Sequence, residues 1–194
     1  MKSDLLNRIS ETIIRLITFD YLVIKKVIKY NLGKTDGKSI FDLGCGTGVL
    51  APLFSPKSYM GIDIDPTLIE YAQSHHPRYK FEAGDATNVK LKNKFDIVLV
   101  VGVIHHLNNR NVKKFIDVIK MHLKKDGRVL IVEAIPPIFK WNLLSYINRK
   151  MDRGAFIRDL DVYKKFVTPD FKILKAYNQF GGAADYGVLL LEKR

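Results

Sequence analysis

A single cysteine, Cys45, stands in the 194 residues, which excludes an intrachain disulfide and points to a reducing compartment. Long apolar runs are missing as well. The longest, Ile97 to Val101 and Val103 to Ile104, are broken by Gly102 and then by His105, far short of the ~20 residues that cross a bilayer. Charge appears at Lys2 and Asp4, and no uninterrupted apolar stretch follows, so no signal peptide is expected and the expected location is cytoplasmic. There is no internal repeat and no low-complexity tract. Acidic residues are scarce relative to basic ones, 20 against 32, for a net charge of +12. Such an excess raises nucleic acid and anionic membranes as partners. The pairs Lys25-Lys26, Lys113-Lys114, Lys124-Lys125 and Lys164-Lys165 are spread from end to end, however, which favours a solvated lysine-rich surface.

What is present is an alternation of short apolar strands and amphipathic helices. A hydrophobic share of 47% is enough for a buried core, and the length fits one domain over residues 1–194. Residues 5 to 30 carry helical spacing, so helices are expected over 1–34, ended by Gly33 and Asp36-Gly37. Ser39 to Leu43 reads as a buried strand, Val49 to Phe54 as a helix, and Tyr59 to Ile64 as the next strand. Asp65 is placed to cap a helix whose first residue is Pro66. Lys80 to Ala83 and Phe95 to Val101 read as strands. Val112, Phe115, Ile116, Ile119 and Leu123 mark an amphipathic helix, Asp126-Gly127 turns the chain, and Arg128 to Glu133 is a further strand. Strands apolar through their length and separated by helices indicate an α/β fold, a parallel sheet covered on both faces.

After Pro136-Pro137 the rhythm changes. Residues 138–153 interleave Phe139, Trp141, Leu143, Leu144, Tyr146 and Ile147 with Lys140, Arg149, Lys150 and Arg153. With a helix over 159–168 they form an inserted cap, 138–168. The first part reads as a lid on a substrate pocket, as ordinary packing, or as a peripheral membrane contact. Two strands, Phe171 to Phe180 and Tyr186 to Glu192, close the chain as an antiparallel hairpin around Gly181-Gly182-Ala183-Ala184-Asp185.

The chemistry gathers at strand ends. Phe41-Asp42-Leu43-Gly44-Cys45-Gly46-Thr47-Gly48 lies at a strand-to-helix junction, where glycines let a ligand approach the main chain. Alone, such a loop is also an ordinary tight turn. Asp63 ends the second strand, 21 residues after Asp42, where a carboxylate can accept from both hydroxyls of a ribose. Asp85 follows the third strand, 22 residues after Asp63, where it can meet an adenine amino group. Each acid alone is equally a surface or cap residue; together they favour an adenosine-bearing ligand. A dinucleotide loop would want glycine or alanine where Val49 stands. It would also give Asp85 no task.

These residues carry a family resemblance. Across roughly residues 35 to 194 the chain resembles the class I S-adenosylmethionine-dependent methyltransferases. Phe41 to Gly48 is similar to the family's first motif, Gly61-Ile62-Asp63-Ile64-Asp65 to its second-strand motif, and Gly84-Asp85-Ala86 to its adenine-contact motif. Phe95-Asp96-Ile97-Val98 through His105-His106-Leu107, and Leu123 through Glu133, resemble the fourth- and fifth-strand motifs. The resemblance implies a Rossmann-like sheet of seven strands in the order 3-2-1-4-5-7-6, strand 7 antiparallel, with helices on both faces. It implies S-adenosylmethionine as cofactor. Asp42 would orient the methionine amino group, and Gly44, Cys45 and Gly46 would pass along the methionine part. Asp63 would hold the ribose, Ile64 would lie beside the adenine, and Asp85 with the Ala86 backbone would read the adenine amino group. Val101 would face the methionine by backbone and packing.

Methyl transfer from a sulfonium is an in-line displacement, and alignment of the reactants supplies much of the acceleration. A base is needed only where the acceptor must lose a proton. His105 and His106, just past the fourth strand, are the candidates, with packing or capping as the alternative for each. Glu133 at the end of the fifth strand is a candidate substrate contact. The adjacent histidines have no evident third ligand, so no metal is expected, and a nucleophilic Cys45 is not. A small-molecule acceptor, with an anionic one favoured by the charge, is the leading expectation. An RNA or protein methyltransferase and a non-catalytic S-adenosylmethionine-binding module stay open, as do the acceptor's identity and the oligomeric state.

Overall fold

The computed structural model describes residues 20–139, 141, 142, 145, 154–182 and 184–194. The expected helix over residues 5 to 30 is described from Asp20 onward; its first part lies outside the described residues. So do Lys140, Leu143, Leu144, Tyr146, Ile147, Arg149, Lys150 and Arg153 of the expected cap. Helix α1 spans Asp20–Leu32 and stops at Gly33, whose φ of 61° a side chain would strain. Seven strands follow: β1 Ile40–Leu43, β2 Tyr59–Asp63, β3 Lys80–Ala83, β4 Phe95–Val101, β5 Leu123–Ile135, β6 Phe171–Phe180 and β7 Asp185–Lys193. Between them lie α2 Pro66–His75, α3 Asn109–His122 and α4 Leu160–Val167.

The sheet order is β3-β2-β1-β4-β5-β7-β6, as the resemblance implies. The first five strands run parallel, and β7 pairs antiparallel with both β5 and β6. The central strands β1 and β4 are apolar on both faces because both are covered. On one face α1 and α2 bury Ile24, Val27, Ile28, Ile69 and Ala72 against Ile40, Ile97, Leu99 and Leu130. On the other, Val112, Phe115 and Ile119 of α3 and Tyr163 and Val167 of α4 pack on Phe41, Val98, Val129 and Ile131. The expected start of α2 is as read: the Asp65 carboxylate accepts from the Thr67 N–H at 2.9 Å, and Pro66 needs no partner for a missing N–H.

Two elements differ from expectation. No α-helix follows the glycine loop; Ala51–Leu53 and Pro56–Ser58 are single 3₁₀ turns. Pro52 and Pro56 each withhold an N–H, and the chain must reach β2 before a second helical turn can form. The fifth strand begins at Leu123 rather than Arg128. Phe95 pairs with Leu123 and Ile97 with Arg128, so the charged residues from Lys124 to Asp126, with Gly127, bulge out of the ladder.

Strand order reverses between β1 and β4, and their C-terminal ends open a crevice of the kind where open α/β sheets bind ligands.

Candidate active site

The loop after β1 bends across the end of β2, where the N–H groups of Gly44 and Cys45 both donate to the Ile62 carbonyl, at 2.7 and 2.9 Å. Gly44 and Gly46 have φ of 88° and 52° but different surroundings. A β-carbon at Gly44 would come within 2.3 Å of Val103 Cγ2, whereas one at Gly46 would meet no atom within 4 Å. Gly44 is therefore required by packing against the loop that follows β4, and Gly46 faces open space, the side on which a ligand can lie against the backbone.

Asp63 is tied to this loop. Its Oδ2 accepts from the Gly46 N–H at 2.8 Å and its Oδ1 from the Asp65 N–H at 3.0 Å. The Gly84 N–H donates to the Asp63 carbonyl at 2.8 Å, which brings the end of β3 beside the end of β2. Asp85 is exposed, with Oδ1 accepting from the N–H and the hydroxyl of Thr87, both at 2.8 Å. Ala86 beside it is half-buried against the core. Ile64, immediately after β2, is a large apolar side chain with 70% of its surface exposed. The open Gly46 backbone, the pinned Asp63, Ile64 and Asp85 thus form a cradle whose donors and acceptors fit an adenosine-bearing group.

Asp42 lies beneath the loop, not in the crevice. It is buried and accepts from the Tyr59 hydroxyl at 2.6 Å. Burial pushes its carboxyl up to about 7, against the pull of the Tyr59 hydrogen bond and with the negative charge of Asp63 adding to the rise. Any influence on a ligand from there is by charge and by support of the loop. Burial also pushes the Cys45 thiol well above its ordinary value, with the charges of Asp42 and Asp63 adding, which opposes thiolate formation. Tyr59 is not singled out by the sequence; its one signal is a hydroxyl at the start of a strand that is apolar up to Asp63. Val101 is half-buried at the end of β4, paired with Val132 and followed by Gly102 at φ 68°.

The loop after β4 holds the remaining candidates. His105 is buried, with 1% of its surface exposed, and His106 is exposed. Their rings lie 4.1 Å apart between centroids. Glu133 is fully buried. Its Oε1 accepts from the N–H groups of Val103 and Ile104 at 2.8 and 2.7 Å, and its Oε2 from the His105 N–H at 3.3 Å. Oε2 also lies 2.8 Å from His105 Nδ1. Both carboxylate oxygens are thus engaged by the backbone of this loop and by His105, and they hold it against β5. Arg158, which the sequence reading passed over, grips the same loop from the other side through the Ile104 and Leu107 carbonyls, at 3.2 and 2.7 Å.

Among known proteins, methyltransferases resemble this chain. A family model described as "Methyltransferase domain" matches residues 40–127, which run from β1 through the glycine loop, the crevice acids and β4 to the start of β5. A putative methyltransferase 235L of Invertebrate iridescent virus 6 is 28% identical over 139 residues, 70% of this chain and 50% of that protein. A ubiquinone biosynthesis O-methyltransferase of Rhodopseudomonas palustris (strain BisB5) is 25% identical over 146 residues, 72% of this chain and 56% of that protein. The chain thus spans about half the length of these curated relatives. Among solved structures, magnesium protoporphyrin IX methyltransferase from Synechocystis superposes with a TM-score of 0.70 at 18% identity, covering 92% of this chain and 84% of that one. N-methyltransferase NodS from Bradyrhizobium japonicum gives 0.69 at 16% identity, covering 87% and 84%. At such identities these structures speak to the fold.

Proposed function

We propose that the chain is a class I S-adenosylmethionine-dependent methyltransferase that transfers a methyl group from S-adenosylmethionine to a small-molecule acceptor, a reading supported by the methyltransferase-domain match over residues 40–127. The observation that carries the cofactor reading is the bond from the Gly46 N–H to Asp63, which welds the glycine loop to the acid of the second strand. Bound there, S-adenosylmethionine supplies an electrophilic methyl on a sulfonium, so the chemistry needs alignment more than acid or base.

The residues divide the work. Asp63 accepts from the ribose hydroxyls, Ile64 covers one face of the adenine, and Asp85 with the Ala86 backbone reads its edge. Gly44, Cys45 and Gly46 give the methionine portion a close main-chain wall, and Val101 closes its far side. Asp42, buried and accepting from the Tyr59 hydroxyl, supports that wall from beneath. For an acceptor that must shed a proton, the exposed His106 is the histidine within reach of solvent; His105 serves by its place in the loop.

A small acceptor is supported by what the relatives are named for, ubiquinone biosynthesis and magnesium protoporphyrin IX. The net charge of +12 favours an acidic one. Calorimetry with S-adenosylmethionine tests the cofactor reading. Asp63→Ala is expected to weaken binding by about 10- to 100-fold, the size of one or two lost hydrogen bonds to a charged group, with the fold retained by circular dichroism. Unaltered affinity would remove Asp63 from the site. Transfer of labelled methyl into metabolite and RNA pools tests the acceptor, and label confined to RNA would displace the small-molecule reading.

A further inference from the structure

The loop from Gly102 to Leu107 is bound on both its polar sides. Its N–H groups at Val103, Ile104 and His105 point at the Glu133 carboxylate of β5. Its carbonyls point the other way. The Arg158 guanidinium donates to Ile104 O at 3.2 Å and Leu107 O at 2.7 Å, and the Phe156 N–H donates to His105 O at 2.9 Å. The same guanidinium donates to the Phe156 carbonyl at 2.8 Å and to Asn109 Oδ1 at 3.0 Å, and lies against the rings of Phe156 and Phe166. A planar fork with five donors spans several acceptors at once; an ammonium does not.

This loop is not an isolated piece of surface. Val103 fills the space that a β-carbon at Gly44 would need, 2.3 Å from its Cγ2. A shift of Val103 is therefore felt at Gly44, and through Gly46 at Asp63. The anionic side of the grip is part of the sheet. The cationic side is part of the segment that leads into α4.

Resting on the methyltransferase reading, we propose that Arg158 is a positioning residue. Opposite Glu133 it clamps the post-β4 loop, presses Val103 onto Gly44, and so sets the cofactor loop from the segment that leads into α4. That segment and the cofactor loop then respond to each other. A ligand on the glycine loop tightens the clamp, and loosening the clamp weakens that ligand.

S-adenosylhomocysteine, which carries no methyl to transfer, probes this in the full chain without an acceptor. Hydrogen exchange at the Ile104 and His105 amides is expected to slow when it binds. In Arg158→Ala those amides are expected to exchange at least about tenfold faster, the scale of one lost charge-assisted hydrogen bond, and affinity for S-adenosylhomocysteine to fall several-fold. Millimolar ethylguanidinium is expected to restore both, a rescue that general loosening of the fold would not give. Arg158→Lys, which keeps the charge and loses the fork, is expected to behave as the alanine variant does. Unchanged exchange and affinity in Arg158→Ala, or changes that ethylguanidinium leaves in place, would overturn the clamp. Wild-type protein that fails to bind S-adenosylhomocysteine at all would instead take away the cofactor reading.

Discussion

Asp42 and Asp63 end neighbouring parallel strands, yet their carboxyls have opposite surroundings. Asp63 meets two backbone N–H groups at the loop, while Asp42 has a phenol and an apolar enclosure. Raised from 3.8 to about 7 by burial, the Asp42 carboxyl keeps its proton in the native state over a range where the unfolded chain has lost it. Its contribution therefore favours folding at low pH and fades as pH climbs from about 4 through about 7. Over that window the loss is on the order of 4 kcal/mol. Asn at this position still accepts from Tyr59 and carries no charge, so Asp42→Asn is expected to flatten the dependence. Urea unfolding of both proteins between pH 5 and 8 decides it, and parallel curves would deny the buried acid. The glycines divide in a similar way. Gly44→Ala adds a collision with Val103 to the cost of a positive φ, whereas Gly46→Ala meets only the latter, about 1–2 kcal/mol. Unfolding is expected to rank Gly44→Ala well below Gly46→Ala in stability, while ligand affinity falls in both; equal stabilities would mean that Val103 yields. Glycine positions and strand-end acids were legible in sequence because their spacing is local. The burial of Asp42, Glu133 and His105 was not, because it depends on which way each strand residue faces and on what packs over it. Arg158 was hidden for another reason: it binds main-chain carbonyls, which leave no residue pattern to read.

At the scale of elements, apolar periodicity foretold strands β1 to β7 and helices α2, α3 and α4 to within a few residues, apart from the start of β5. It failed where chain geometry overrides pattern. Leu50, Ala51 and Phe54 are buried as a helix would bury them, but proline holds the segment to a single 3₁₀ turn. How α3 is fastened is likewise a contact that spacing does not reveal. His122, in its last turn, is buried; Nδ1 is hydrogen-bonded to the Val118 carbonyl at 2.8 Å, and Nε2 accepts from the Leu91 N–H at 2.9 Å. The imidazole thus ties the helix to the stretch leading into β4. His122→Leu is expected to cost about 1–3 kcal/mol, because the Leu91 N–H loses its acceptor in a partly buried place. Leu91 amide exchange should rise with it. A variant of unchanged stability, with Leu91 still protected, would show that this N–H finds water readily.

For the whole molecule, the fold legible from alternation and resemblance is the one observed, down to the antiparallel β7. Its consequence is mechanical. The crevice lies where strand order reverses, so one wall comes from the β1, β2 and β3 ends and the other from the β4 loop that Glu133 and Arg158 hold. A ligand bound there as proposed would contact both halves of the sheet, and unfolding of either half would release it. Binding linkage then stabilises the native chain by about 2.7 kcal/mol at a ligand concentration one hundred times Kd. For a chain of this size each kcal/mol raises Tm by about 2–4 °C, so saturating S-adenosylmethionine is expected to raise Tm by roughly 5–10 °C. At that same concentration the 10- to 100-fold loss of affinity expected in Asp63→Ala should cut the gain to about 0.4–1.4 kcal/mol, whereas the full gain should persist in His106→Ala, whose side chain is exposed. An equal loss in both variants would place His106 in the cofactor site. A Tm indifferent to the ligand in the wild-type chain would mean that the two walls do not close on it together.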